Sequence, residues 1–209
     1  MNRLVFATHN SDKVKEVREL LSSSFEILSL DDIGFNDDII EDKPTIIENS
    51  IKKAELIKIK TGFDCFADDT GLEVDALSGQ PGVFSKRFAG LNASSDENID
   101  KLLEMLENNT NRAARFKTVI SLSKNSEIIT FEGICEGNIG YERMGDLGFG
   151  YDSVFIPKNR NISFGQMSLS EKNLIAHRAK AINKLVDYLT CLLYTSPSPR
   201  DATLSRMPS

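Results

Sequence analysis

The chain has 209 residues, of which 40% are hydrophobic and 27% charged, the composition of an ordinary globular domain with a sizeable core. Its formal net charge of −6 argues against a protein that grips a polynucleotide, because that task needs a basic face. No apolar run is long enough to cross a bilayer and the N-terminus has no secretory h-region, so we expect a cytoplasmic protein that does not bind a membrane.

Strand and helix patterns alternate from the N-terminus. Arg3–Ala7 is an apolar run typical of a buried strand, and the segment after it has helical periodicity. Phe25–Leu30 predicts a second strand. The apolar face of the first helix carries Val14, Val17, Leu20 and Leu21.

A second helix and a third strand follow. Thr45 and Glu48 form a capping-box pattern that predicts the helix start. Cys65–Asp68 predicts the strand. We expect the inner face of this helix to carry Ile47, Ile51 and Ala54.

The next elements are a helix and a hairpin. Ser94 and Glu97 predict another helix cap. Arg115–Ser123 and Glu127–Gly137 read as antiparallel strands joined near Asn125. The apolar stripe of the helix is Ile99, Leu102, Leu103 and Leu106.

Ser168 and Glu171 open a helical C-terminal region, which contains Leu174, Ile182, Leu185 and Leu189. The whole pattern predicts an α/β protein with a mixed sheet, in one domain over residues 1–190. Residues 191–209 are rich in serine and proline without a usable period, so we expect them to be disordered. They resemble translated sequencing adapter, and we interpret them as an artefact outside the fold.

A polar loop, Thr8–Lys13, connects the first strand to the first helix. Helix N-termini favour anions through their exposed N–H groups and dipole. Thr8 and Asn10 add donors and Lys13 adds a cation, although the loop lacks the Walker A pattern. Taken alone, a capped helix with a solvated lysine is the simpler interpretation.

Two adjacent carboxylates, Asp68 and Asp69, close the predicted third strand, where α/β proteins place ligand crevices. Mg²⁺ accepts one or two carboxylates together with phosphate oxygens and water. Glu41, in an acidic loop, could add a further carboxylate. A turn in which Asp68 caps the backbone and Asp69 faces water explains the pair equally well.

Two further clusters could recognise a base. Phe149 and Tyr151 could stack on a nucleobase, and Asp152 could accept a hydrogen bond from a ring N–H. Lys172 and Arg178 only donate, which suits phosphate or carbonyl oxygens. The simpler alternatives are core aromatic residues and a solvated helix face.

Five motifs nevertheless occur in one order. They are T-x-N-x-x-K-x-x-E at Thr8–Glu16, A-D-D-T-G-L at Ala67–Leu72, G-x-P-G at Gly79–Gly82, G-F-G-Y-D at Gly148–Asp152 and H-R at His177–Arg178. This set closely resembles the inosine triphosphate pyrophosphatase family, which hydrolyses non-standard purine nucleoside triphosphates. The resemblance covers Arg3 to Leu189.

The resemblance implies an elongated central mixed sheet with flanking helices, two lobes around a nucleotide cleft, and a homodimer. It implies Mg²⁺ as cofactor and hydrolysis of ITP, dITP or XTP to the monophosphate and pyrophosphate, which cleanses the nucleotide pool. Asp69 would be the general base and a metal ligand, with Glu41 as the other metal ligand. The implied substrate-binding residues are Thr8, His9, Asn10, Ser11, Asp12, Lys13, Lys53, Thr70, Phe149, Gly150, Tyr151, Asp152, Lys172, His177 and Arg178.

Two positions depart from the family pattern. His9 stands where glycine is common, and Ala176 stands where a serine often precedes His-Arg. Two alternatives stay open: a Maf-like pyrophosphatase of modified nucleotides, and a non-catalytic nucleotide-binding module. The base-pocket motifs argue against the first, and the filled catalytic positions argue against the second.

Overall fold

The computed structural model describes residues 2–21, 25–125 and 127–195. The strands are β1 (Asn2–Phe6), β2 (Phe25–Leu28), β3 (Cys65–Val74), β4 (Pro81–Gly82), β5 (Ala113–Lys124), β6 (Glu127–Ile139) and β7 (Phe155–Pro157). The helices are α1 (Ser11–Leu21), α2 (Ile46–Thr61), α3 (Ser95–Met105), α4 (Leu169–Asn173) and α5 (His177–Thr195). No helix in these ranges is long and apolar enough to cross a membrane.

The strands form one mixed sheet in the order β2-β1-β3-β5-β6-β7, with β4 paired to β3. β1 runs parallel to β2 and β3, whereas β3, β5, β6 and β7 are antiparallel. The predicted α/β class with a mixed sheet and flanking helices is confirmed. The predicted hairpin is confirmed too, with Lys124 opposite Glu127 across the turn.

The third strand was predicted too short. It continues past Asp68 to Val74, so Asp68 and Asp69 lie within a strand and not after it. The reason is the antiparallel neighbour β5, which supplies ladder partners along the whole of β3. Pairing with β1 reaches only to Phe66, and pairing with β4 begins at Leu72, so the edge of β3 between these positions has no strand partner in the described part of the chain.

Helix α2 begins as predicted, since the Thr45 hydroxyl accepts a hydrogen bond from the Glu48 amide at 3.2 Å. Its predicted inner face is wrong at Ile47, which is 42% exposed. The buried positions are Ile46, Asn49, Ser50, Lys53, Ala54 and Ile57. Hydrophobic periodicity missed this face because polar residues with partners inside the protein, Lys53 among them, occupy part of it.

The predicted capping boxes at Ser94 and Ser168 both form. Helix α4 then ends at Asn173, and the chain turns before α5 begins. Leu174 lies in this turn and is 81% exposed, so the predicted helical C-terminal region is interrupted there. Helix α5 continues to Thr195, past the predicted boundary at residue 190, and the rest of the predicted tail lies outside the described residues.

Apolar side chains form three clusters. One packs α1 and α5 against one face of the sheet, and the second packs α2 against the other face. The third joins the far end of β3 and β5 to α3 and to the segment around β7.

A cavity of about 590 Å³ is lined by residues of the first strand–helix loop, α2, β3 and α5, and by Leu72 and Phe116 of the third cluster.

Candidate active site

The cavity collects nearly all of the predicted site residues. Ser11 and Asp12 are the two that do not line it, because they point to solvent in the first turn of α1. The others that line it are Thr8, His9, Asn10, Lys13, Glu41, Lys53, Asp69, Thr70, Phe149, Gly150, Tyr151, Asp152, Lys172, His177 and Arg178. The topology thus brings together segments that are distant in sequence.

The loop Thr8–Lys13, here called the phosphate loop, leaves the sheet where β1 ends. The Asn10 side-chain oxygen accepts from the Lys13 amide at 2.9 Å and caps α1, as the simpler interpretation predicted. Lys13 is not solvated, however. Its Nζ donates to Asp68 Oδ1 at 2.8 Å, so the loop is fixed to β3 by an ion pair.

Asp68 is shared between two cations. Its Oδ1 accepts from Lys13, and its Oδ2 accepts from Arg178 Nε at 3.0 Å. Burial alone would raise the pKa of Asp68, but the charges of Lys13 and Arg178 outweigh it and hold the pKa well below its usual range. Arg178 Nη2 also donates to the Thr70 hydroxyl at 3.2 Å.

Glu16 extends this network from α1. It pairs with Arg178 Nη1 and accepts from Lys172 Nζ at 2.7 Å, and Lys172 also donates to Asp152 Oδ2 at 2.6 Å. Burial would raise the pKa of Glu16, whereas Arg178 and Lys172 lower it further than burial raises it. Six charges of alternating sign therefore run from Lys13, which is part-buried, to Asp152, and the other five are buried.

Sequence reasoning gave Glu16 no role, although it ends the first motif. One sequence feature could have identified Glu16: this acidic residue lies beside Val17 on the apolar face of α1. An unpaired charge would be costly there, so a buried partner is expected. The sequence pattern identified Asp68 only as one of two adjacent carboxylates. Both residues have partners on distant segments, which local patterns do not reveal.

A second charged group lies around Lys53, which is buried on α2. Its Nζ is 2.7 Å from Glu41 Oε1 and 3.4 Å from Asp69 Oδ1. Burial would lower the pKa of Lys53, but Asp69 and Glu41 raise it above the ordinary value. Burial also raises the pKa of Asp69, with Lys53 opposing and Glu41 adding to the increase. A buried carboxylate with a raised pKa beside a cavity is suited to accept a proton.

Glu41 and Asp69 are the residues that could hold Mg²⁺. Both carboxylates line the cavity, and both contact Lys53 Nζ, at 2.7 and 3.4 Å. Within the described ranges no group of three or more His, Cys, Asp or Glu side chains could hold a metal. Phosphate oxygens and water would complete the coordination, which is the arrangement that Mg²⁺ prefers.

The other end of the cavity is aromatic and cationic. Phe149 is half-buried, with Lys172 Nζ 5.0 Å and Arg178 Cζ 5.6 Å from its ring centroid. Tyr151 is buried in the core, and its hydroxyl donates to the Ser85 carbonyl at 2.9 Å. The Tyr151 ring is therefore part of the supporting wall, and Phe149 is the more accessible aromatic surface.

His177 is buried beside Arg178. Its ring stacks on Phe116 with centroids 4.5 Å apart, and its Nδ1 has no hydrogen-bond partner among the described residues. Burial, with Arg178 and Lys172 nearby, holds the pKa of His177 well below its usual value, so the ring is neutral. Gly133 permits this placement, because a Cβ there would lie 2.0 Å from the His177 carbonyl oxygen.

The fold and the cavity define a class of α/β proteins. In this class a loop between a strand and a helix, a pair of carboxylates and a group of cationic and aromatic side chains line one cavity. The chain belongs to the Ham1 family, whose model matches residues 4–188. This assignment confirms the family resemblance of the five motifs.

Relatives and solved structures agree with the family assignment. The chain is 49% identical to the dITP/XTP pyrophosphatase of Flavobacterium johnsoniae, over 90% of this chain and 98% of the relative. It is 41% identical to the dITP/XTP pyrophosphatase of Bacillus subtilis, over 88% and 96% of the two chains. The Coxiella burnetii HAM1 structure matches with a TM-score of 0.83 and 38% identity, covering 91% of this chain and 99% of that one.

Proposed function

We propose that this protein hydrolyses non-standard purine nucleoside triphosphates, namely dITP, XTP and ITP, to the monophosphate and pyrophosphate, and so cleanses the nucleotide pool. The observation that carries the proposal is that one cavity of about 590 Å³ places the phosphate loop, the Asp69–Glu41 pair and the Lys172–Arg178 pocket together. The identity with named dITP/XTP pyrophosphatases supports the same substrates.

The phosphate end of the site supplies positive charge. The phosphate loop offers backbone N–H groups at the start of α1, and Lys13 and Lys53 are both cavity-lining cations. Each lysine is already held by a carboxylate, Lys13 by Asp68 and Lys53 by Glu41, so neither has to be ordered when substrate binds. Such preorganised charge stabilises developing charge on phosphate oxygens.

Asp69 is the proposed general base. It accepts the proton of the attacking water, and the α-phosphorus receives the hydroxyl while pyrophosphate leaves. Glu41 and Asp69 would hold Mg²⁺, which when bound neutralises charge on the triphosphate. Lys53, between the two carboxylates, keeps both oriented towards the cavity.

The base end is proposed to read the carbonyl at purine C6. Arg178 donates to Asp68, Glu16 and Thr70 through Nε, Nη1 and Nη2, which fixes its guanidinium plane. A guanidinium has five N–H donors, so two are left for a ligand. Hypoxanthine and xanthine present an acceptor at C6, whereas adenine presents a donor that the pocket would leave unpaired.

Product analysis tests the proposal. dITP and Mg²⁺ are incubated with the protein without added pyrophosphatase, with Asp69→Asn as control. We expect deoxyinosine monophosphate and pyrophosphate. Diphosphate and orthophosphate would reject attack at the α-phosphorus, and binding of dITP without turnover would favour the non-catalytic alternative.

We further propose that the protein is a cytoplasmic homodimer, as the family resemblance implies. Large apolar side chains on the surface, including Tyr141 at 75% and Leu91 at 87% exposure, are available for a subunit contact. Light scattering coupled to size-exclusion chromatography should give twice the chain mass. A mass equal to one chain at micromolar concentration would reject the dimer.

A further inference from the structure

We propose that His9, as an imidazolium, is a positioning residue that ties the phosphate loop to the segment Asn36–Asp42, here called the acidic loop. Asp38 and Ile39 of the acidic loop line the cavity, so the tie sets the spacing between the phosphate loop and this part of the cavity wall. The effect on turnover rests on the proposed function, whereas the tie itself does not.

The protonation state follows from the partners of the ring. His9 Nδ1 lies 2.8 Å from Asp31 Oδ1, and Nε2 lies 3.2 Å from the Asp37 carbonyl oxygen. A carboxylate and a carbonyl oxygen only accept hydrogen bonds, so both ring nitrogens must donate. Only the imidazolium has two N–H groups, and its charge strengthens both bonds.

The ring is also held in orientation. It stacks on Phe35, with centroids 6.5 Å apart and planes 21° from parallel. The Lys60 ammonium lies 5.6 Å from the same Phe35 ring and pairs with the Asp37 carboxylate at 2.8 Å. The charged groups around His9 are therefore the carboxylates of Asp31 and Asp37 and the ammonium of Lys60.

The acidic loop has no helix or strand, so side chains from other segments hold it. Lys52 donates to the Ile40 carbonyl at 2.9 Å, and Arg87 donates to the Glu41 carbonyl at 3.1 Å. These contacts come from α2 and from the turn before α3. Of the described contacts to the acidic loop, one comes from the phosphate loop, and His9 makes it.

Both loops line the cavity, the phosphate loop through Asn10 and Lys13 and the acidic loop through Asp38, Ile39 and Glu41. Without His9 the Asp37–Ile39 part of the acidic loop loses this anchor, while Glu41 keeps Lys53 and Arg87. A looser loop must be ordered by the ligand, which weakens binding more than it slows chemistry. We expect KM for dITP to rise roughly 3- to 10-fold, the equivalent of one hydrogen bond, with little change in kcat.

The test compares the parent with His9→Phe, which keeps a ring over Phe35 but cannot donate, and with His9→Gln, which keeps one donor. Hydrogen exchange of peptides covering residues 36–42 is measured on the substrate-free protein. Lys15→Gln is the matched control, because Lys15 is exposed on α1 and does not line the cavity. We expect faster exchange in His9→Phe, an intermediate rate in His9→Gln and the parental rate in Lys15→Gln.

Two outcomes would overturn the proposal. One is equal exchange in parent and His9→Phe, and the other is a loss of protection in Lys15→Gln as large as that in His9→Phe. Because exchange needs no substrate, a protein that shows the expected exchange but hydrolyses no triphosphate would reject the proposed function and leave the tie intact.

Discussion

Arg178 Nε, in the first turn of α5, lies 3.0 Å from Asp68 Oδ2 in the middle of β3, and the two side chains are 2% and 1% exposed. The pair connects the part of the cavity next to Phe149 to the loop Thr8–Lys13, because Lys13 binds the other oxygen of Asp68. Burying two charges costs several kcal/mol each unless the remaining hydrogen bonds are made. We infer that the network serves to place these groups for a ligand.

Asp68→Asn should destabilise the fold strongly. The substitution leaves Lys13 and Arg178 without their shared counter-charge, and removing one partner of a buried pair costs about 3–5 kcal/mol. Because the folded pKa of Asp68 is depressed, its contribution to stability is present at neutral pH and is lost as the pH falls through the acid range. Urea unfolding at neutral pH measures the change.

The matched control is Glu73→Gln, also on β3. Glu73 pairs with Arg115 at 2.7 Å, but the two side chains are 22% and 38% exposed. Such a pair contributes at most about 1 kcal/mol. Similar losses in both variants would show that the buried network has no special role in stability.

Asp69→Asn keeps the shape of the side chain and removes its charge. If Asp69 is the general base, turnover of dITP should fall by roughly 10²- to 10⁴-fold. Asp69 also pairs with the buried Lys53 at 3.4 Å, so a thermal unfolding curve of the variant is recorded to show that it is folded. Near-parental turnover in a well-folded variant would remove Asp69 from this role.

Activity should require Mg²⁺. EDTA should abolish turnover and excess Mg²⁺ should restore it. Glu41→Gln should raise the Mg²⁺ concentration needed for half-maximal activity, because it removes one of two carboxylates that converge on the site. Asp42→Asn is a suitable control, since Asp42 is exposed and pairs with Lys52. Full activity in EDTA would contradict the metal requirement.

Arg178→Lys tests base selection while keeping a buried positive charge near Asp68 and Glu16. A lysine cannot reproduce the planar fork of donors, so discrimination by the C6 group should weaken. Discrimination of this kind can reach about 10⁴-fold or more in the parent. In the variant the ratio of kcat/KM for ITP to that for ATP should be smaller. An unchanged ratio would mean that another residue reads C6.

The His177 ring gives the stability a pH dependence of known sign. Its folded pKa lies well below the unfolded value, so below about pH 6.5 the unfolded chain binds the extra proton and stability falls as the pH is lowered. The slope reaches about 1.4 kcal/mol per pH unit for one such group. His177→Gln should reduce this slope between about pH 6.5 and pH 5 when urea unfolding of parent and variant is compared. Identical slopes would show that His177 is protonated in the folded state.

The local patterns predicted the elements well because their causes are local. The capping boxes at Ser94 and Ser168 satisfy helix N–H groups within four residues, and they form as predicted. The hairpin around Asn125 needs only two adjacent strands and a turn. Prediction failed where the cause is distant in the sequence. Strand β3 continues beyond Asp68 because β5, a later segment of the chain, pairs with it.

By itself, the sequence determined the α/β class, the family and many of the residues that line the cavity, since the order and spacing of motifs are properties of the chain. Only the tertiary structure decided how these residues are paired. Glu16 and Arg178 lie 162 positions apart, and only the packing of α1 against α5 brings them together. A buried charge is stable only with a partner, and the partner is set by the fold.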